Sequence, residues 1–169
     1  MTPSFAVVGP GAIGTTVAAA LHEAGRTPLL YGRTARESVG LRDADGSVVV
    51  PGPVIVDPAA AAPVDIVFLA VKATQIAAAA PWLTALVRPG TVICVLQNGV
   101  EQVAMVAPHI PGCPVVPSVI WFPAVTQADG AVLLRGEPRL TLPDVAAAAV
   151  VADAVRGTRV FVELSADFT

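Results

Sequence analysis

Lysine and asparagine are nearly missing from this sequence: each occurs once among 169 residues, as Lys72 and Asn98. Cysteine is almost as scarce. Cys94 and Cys113 show no CxxC spacing and have no histidine cluster beside them, which excludes the common zinc and dithiol-redox patterns. Two buried free thiols are expected, and no metal. A basic block is missing too; with a formal net charge of −3, nothing here tracks a phosphate backbone, so no nucleic-acid partner is expected. Nor does any apolar run reach the roughly 18 residues that a membrane crossing requires. The most apolar windows are broken by Asp57, Asp65, Pro81 or Asp153, so a hydrophobic content of 54% reads as core and no membrane association is expected. The opening MTPSFAVVG has neither the basic start nor the apolar stretch of a secretory signal, and the expected compartment is the cytoplasm.

Alanine and valine are abundant, and they suit buried parallel strands and closely packed helices. The length fits one domain with a real core, not two. Short β-rich runs alternate with alanine-rich helical ones, the order expected of a mostly parallel α/β sheet with flanking helices, a Rossmann-like fold. Strands are expected at residues 4–8, 27–31, 65–71, 91–96 and 115–121. Helices are expected at 12–24, at 74–87 with an interruption or kink at Pro81, and at 100–107. Between residues 39 and 56, Asp45-Gly46 and Pro51-Gly52-Pro53 break the β-like pieces, which predicts a hairpin-like excursion. Two further β runs, 131–134 and 139–142, bracket a turn at Gly136-Glu137-Pro138. Asp144 is expected to cap a helix over 145–155, and residues 159–162 close the series. Ser165-Ala166-Asp167 has the chemistry of a helix start, a capping hydroxyl followed by an early acid. A boundary is therefore expected there, with 1–164 as one domain and 165–169 as the first residues of a longer chain's next unit.

The strongest local signal is Gly9-Pro10-Gly11-Ala12-Ile13-Gly14, directly after an apolar strand and opening a helix. Gly9 permits the tight turn, Gly11 leaves no Cβ between backbone and a pyrophosphate, and Gly14 lets helix and strand approach closely. The helix N-terminal amides and dipole then receive negative charge. Cofactor choice depends on the end of the second strand, where an NAD site places an acid. Here the sequence is Tyr31-Gly32-Arg33-Thr34-Ala35-Arg36. Arg33, helped by Thr34 or Arg36, is suited to a 2′-phosphate, so NADPH is the expected cofactor.

Ligands of open α/β sheets bind outside the carboxyl ends of the strands. Lys72 follows the strand that ends at Val71, and Asn98 follows the next one, in Gln97-Asn98-Gly99. A chain that otherwise uses arginine for its fixed positive charges has put its one ammonium group at that edge. Trp121, Phe122 and Ala124 follow another strand and either wall the nicotinamide end of the site or, for Trp121, pack in the core.

Gly9 to Gly14, Val71-Lys72-Ala73, Gln97-Asn98-Gly99-Val100 and the segment 124–136 together resemble the N-terminal domain of the ketopantoate reductase (2-dehydropantoate 2-reductase) family. Residues 163–168 are similar to that family's Ser-x-Asp segment, which opens a helical C-terminal domain. The resemblance implies reduction of a 2-keto acid, ketopantoate to pantoate, in pantothenate biosynthesis. It implies that Gly9, Pro10, Gly11, Ala12, Ile13 and Gly14 hold the pyrophosphate and Arg33 the 2′-phosphate. Lys72 lines the cofactor and substrate cleft, Asn98 touches nicotinamide ribose and substrate, and the Ala124 backbone contacts the cofactor. Lys72 and Asn98 are thus supporting catalytic residues. The family's proton-donating lysine and most substrate-binding groups belong to the helical domain, so residues 1–169 alone are expected to be inactive. Two other readings stay open: a reductase of a related keto acid or imine, and a non-catalytic NAD(P)-sensing module. An apolar docking surface for the second domain leaves room for self-association as a homodimer.

Overall fold

The computed structural model describes residues 3–98 and 101–168. The chain opens with β1 (Phe5–Val8), α1 (Ala12–Glu23) and β2 (Leu29–Tyr31), then a long hairpin of β3 (Arg36–Asp43) and β4 (Gly46–Ile55). It returns through β5 (Ile66–Leu69), α2 (Ile76–Leu86), β6 (Val92–Asn98) and α3 (Glu101–Val106) to β7 (Val115–Ile120). The remainder is β8 (Ala124–Thr126), β9 (Val132–Leu134), β10 (Arg139–Pro143), α4 (Ala146–Ala154) and β11 (Phe161–Ser165).

These strands form one sheet in the order β11-β10-β7-β6-β5-β1-β2-β4-β3-β9-β8. The central run from β2 through β1, β5 and β6 to β7 is parallel. Antiparallel pairs occur only at β3/β4, β8/β9 and β7/β10 among the described residues. The predicted mostly parallel α/β sheet with flanking helices is what forms. The chain order reverses at β1, whose neighbours are β2 and β5, so a crevice opens at that switch point.

Burial explains why the central strands are continuous apolar runs. Phe5–Val8 and Ile66–Leu69 are buried at every position, because helices cover both faces. One core lies on the α1 and α4 side, around Val7, Val17, Leu21, Phe68 and Val151. The other lies under α2, around Val67, Leu69, Trp82, Leu83 and Ile93. Each fully buried leucine or isoleucine in these layers contributes about 1.5–3 kcal/mol.

Several expectations are corrected. Pro51-Gly52-Pro53 does not break the chain; it lies within a ten-residue β4. The interruption is absorbed as a register shift opposite Arg36 and Ser38, where Gly52 passes so close that a Cβ would stand 2.6 Å from the Glu37 carbonyl. Pro81 stays inside α2, on its exposed side, where water can satisfy the carbonyl it frees. Asp144 does not cap α4: the N-cap is Val145, with no side-chain bond. β10 carries on to Pro143, and the Asp144 N–H is taken by the Ser165 carbonyl of β11 at 3.0 Å. The last strand starts at Phe161, two residues later than expected, and includes Ser165. The Ser165 hydroxyl accepts the Asp167 N–H at 3.2 Å, a capping-type turn. β6 runs on through Asn98, and the start of the helix expected at 100 lies outside the described residues, as does the Asn98-Gly99 turn. β8 has no counterpart among the expected strands.

Candidate nucleotide-binding cleft

The sheet register sets one edge. Val8 pairs with Tyr31 on one side and Leu69 on the other, and Leu69 pairs with Val95. The residues that follow, Gly9, Gly32, Ala70 to Lys72 and Gln97-Asn98, therefore emerge at a common carboxyl end. A cleft of about 490 Å³ opens there. Its lining includes Gly9, Pro10, Gly11, Ala12 and Ile13 from the first turn, Arg33, Thr34 and Arg36 beyond β2, and Lys72 beyond β5.

The glycine turn is held from both sides. The Gly9 N–H donates to the Tyr31 carbonyl at 2.8 Å, and the Thr15 hydroxyl donates to the Pro10 carbonyl at 2.9 Å. Gly9 has φ +84°, and a Cβ there would meet Val71 Cγ1 at 2.9 Å. Gly14 is buried against Gly9 O, Ala70 and Val7, with a Cβ reaching 2.6 Å from that carbonyl. Gly11 is different in kind. A Cβ there meets nothing within 4 Å, so no packing reason demands glycine; the space it faces is the cleft. Gly11 is also the N-cap of α1, with no capping side chain and no acid in the first turn. The helix start thus presents unneutralised positive dipole to the cleft.

The charges agree with that polarity. Arg33, Arg36 and Lys72 line the cleft, and no carboxylate does among the described residues. Arg33 and Lys72 are exposed, and Lys72 is set by its own backbone: its N–H donates to Gln75 Oε1 at 3.1 Å, and its carbonyl accepts the Gln75 N–H at 2.8 Å. Deeper in, Trp82 is only 7% exposed and tilts against Tyr31 with ring centroids 5.1 Å apart. Burial pushes the Tyr31 phenol above its ordinary range, so it stays neutral. These groups fit an anionic dinucleotide: phosphates at the glycine turn, a further phosphate near the arginines, and an apolar floor for a base.

Other expected site residues stand at the edge without lining the cleft. Asn98 is exposed, and its Oδ1 accepts the Ile120 N–H at 2.7 Å, which ties the ends of β6 and β7 together. Its neighbour Gln97 donates to the Val71 carbonyl, bracing the exit of β5 just before Lys72. Ala124 begins β8, pairs with Leu134 and packs on the α1-side core. Trp121 is not a core residue. It is 52% exposed, its indole N–H donates to Thr141 Oγ1 at 2.8 Å, and the Arg139 guanidinium lies 5.6 Å from its ring. Phe122 beside it is buried.

Sequence reasoning missed Gln75, Ala78, Ala79 and Trp82 on the α2 side, and Thr126, Gly130 and Val132 from the β8–β9 unit. Gln75, three residues after Lys72, carried a local signal as a capping partner. The β8–β9 residues lay within the segment 124–136 that carried the family resemblance, but only the strand order brings them beside β3. Among the described residues, no cluster of three potential metal ligands occurs, and no helix is long and apolar enough to cross a membrane.

Comparison with known proteins points the same way. The family described as Ketopantoate reductase PanE/ApbA matches residues 5–147. The 2-dehydropantoate 2-reductase of Mycobacterium tuberculosis (strain ATCC 25618 / H37Rv) is 53% identical over 171 residues, covering 100% of this chain and 58% of that protein. The 2-dehydropantoate 2-reductase of Caulobacter vibrioides is 36% identical over 141 residues, covering 83% of this chain and 49% of its own length. The chain thus spans between 49% and 58% of the length of these two relatives. Among solved structures, a PanE/ApbA family ketopantoate reductase from Ralstonia eutropha JMP134 superposes with a TM-score of 0.85 at 25% identity, covering 96% of this chain and 56% of that one. The dimeric ketopantoate reductase from Staphylococcus aureus gives 0.78 at 28% identity, covering 97% and 55%.

Proposed function

This chain belongs to the ketopantoate reductase PanE/ApbA family of oxidoreductases, and from that membership we propose that it is the cofactor-holding half of an enzyme that reduces ketopantoate to pantoate with NADPH. The observation that carries the proposal is the cleft at the β1 switch point. It combines an open space at Gly11, an uncapped helix start, and three cations with no opposing carboxylate among the described residues.

Bound there, NADPH would supply the hydride that reduces a keto carbon. The chain's own residues hold and orient. The turn from Gly9 to Gly14 receives the pyrophosphate on backbone amides, and Arg33 pairs with the 2′-phosphate through a planar, charge-assisted fork. Lys72 adds positive charge beside the cleft, where a keto acid's carboxylate must be neutralised. Asn98 and the Ala124 backbone, which stand at the same edge without lining the cleft, are by the family resemblance the groups for the nicotinamide end. Lys72 is not assigned the proton transfer to the developing alkoxide; that role, with most substrate recognition, goes to a helical domain outside residues 1–169. The substrate is thus a small keto acid and the compartment the cytoplasm.

The test is a calorimetric titration of NADPH and NADH into this chain. NADPH binding more tightly than NADH, with the preference lost in Arg33→Ala, supports the reading. Absence of binding by both at millimolar concentration, here and in a longer protein that includes the helical domain, would overturn it. In a steady-state assay residues 1–169 alone should turn over ketopantoate negligibly; full turnover would refute the division of labour.

A further inference from the structure

One wall of the cleft is built by Thr126 and Gly130 at the turn between β8 and β9. Gly130 has φ +90°, and its carbonyl accepts from Arg36 Nη2 at 3.4 Å, a long and weak bond. Arg36 makes no other side-chain hydrogen bond and no ion pair among the described residues, although it is half-buried. Most of its donors are therefore unspent. A Cβ on Gly130 would stand 2.8 Å from Arg36 Nη2. The atom it meets is the far end of a flexible side chain, so the guanidinium would move and the backbone would not. The turn is meanwhile fixed independently. The Gly130 N–H donates to the Gln127 carbonyl at 2.9 Å, and Arg42 of β3 donates to Gln127 Oε1 at 2.9 Å and pairs with Asp129.

Arg42 and Arg36 lie on one strand, and they do opposite things. The first spends its charge clamping the turn; the second rests on the turn's bare glycine with its charge unneutralised, facing the cleft that also holds Arg33. We propose that Gly130 is a positioning residue that seats Arg36 for a phosphate monoester on the nucleotide's ribose, so that the β8–β9 turn helps the chain discriminate NADPH from NADH. The proposal rests on the NADPH reading above. It adds a residue outside the β2 end, brought in by tertiary structure alone.

The experiment is a double-variant cycle on this chain: wild type, Arg36→Ala, Gly130→Ala and the pair, each titrated with NADPH and with NADH. A charge-assisted bond to a phosphate is worth roughly tenfold or more in affinity. Arg36→Ala should weaken NADPH binding about tenfold and change NADH less than about twofold. Gly130→Ala should weaken NADPH binding several-fold, again sparing NADH, and have no further effect once Arg36 is alanine. Arg36→Lys, which keeps the charge but not the fork, should recover part of the loss. Because φ at Gly130 strains any Cβ, thermal melting of each variant accompanies the titrations, and Asp129→Asn loosens the turn without touching Gly130. Equal weakening of both nucleotides by Gly130→Ala, or additive losses in the pair, would overturn the proposal and leave the cofactor reading standing. Wild type that binds neither nucleotide would sink both.

Discussion

Gly11 and Gly14 belong to one motif, yet the structure separates their roles, and Gly11→Ala and Gly14→Ala should fail in opposite assays. At Gly14 the new Cβ lies 2.6 Å from the Gly9 carbonyl oxygen and 3.0 Å from the Ala70 Cβ, so helix and turn must separate. Overpacking of that kind costs about 1–3 kcal/mol, and contact with backbone oxygen argues for ~3. Replacing a helical glycine by alanine returns about 1 kcal/mol. The net loss is ~2 kcal/mol, which for a domain of this size lowers Tm by about 4–8 °C. At Gly11 the Cβ meets nothing within 4 Å. Losing glycine at an N-cap costs about 0.5 kcal/mol, and the stiffer unfolded chain offsets about as much, so Tm should stay within ~2 °C. Its nucleotide affinity should nevertheless fall at least about tenfold, because the methyl stands where backbone must meet pyrophosphate. Thermal melting followed by circular dichroism reads the first quantity, and NADPH titration, with quenching of Trp82 as a second signal, reads the other. A Gly11→Ala protein that binds NADPH like wild type would refute the placement of the phosphates. A Gly14→Ala protein that melts no lower would refute the packing argument.

Arg159 bonds both Glu23 on α1 and Asp43 on the β3–β4 hairpin, so Arg159→Leu should cost about 1–2 kcal/mol at neutral pH in urea denaturation. The Arg159 guanidinium, followed by the Asp45 N–H, holds the Asp43 carboxyl below the ordinary carboxylate range. A lowered folded value contributes stability above the unfolded carboxylate range and loses it as pH falls, so the wild type should weaken below about pH 4. Arg159→Leu should flatten part of that decline. Asp65, held down by the Ser4 N–H and then Arg88, and Asp129, held down by Arg42 and then the Ala131 N–H, keep the rest. Burial pushes the Cys94 thiol up to about 12. A disulfide reagent at pH 8 should therefore label Cys113 in the native protein and Cys94 only on unfolding; rapid labelling of both would contradict its burial. Lys72→Met should leave Tm within ~2 °C, since the side chain is exposed. It should weaken binding of an anionic keto acid to the cofactor complex of a protein carrying the helical domain, with nucleotide affinity less affected.

Some of this was legible because it is local. A strand, a turn and a helix start need only adjacent residues, so Gly9, Gly11 and Gly14 announced the switch point before any strand order was known. Lys72 marked the carboxyl edge of the sheet in the same way, by following a fully apolar strand. The reading failed where two local preferences competed and the sheet won. Asp144 has capping chemistry, but β10 extends to Pro143 and β11 takes the Asp144 N–H. Pro51-Gly52-Pro53 has turn chemistry, but a bulge beside Glu37 accommodates it within β4.

The sequence by itself determined the fold class, the glycine turn between β1 and α1 and the basic residues after β2, because each is written in residues that touch their chain neighbours. Only the tertiary structure decided what else surrounds the cleft. Asn98 is tied to Ile120, Gln97 to the exit of β5, and Gly130 reaches Arg36 from 94 residues away. The physical reason is register: β9 lies beside β3, with Leu41 opposite Val132, and no short-range pattern encodes a pairing between strands so far apart in the chain.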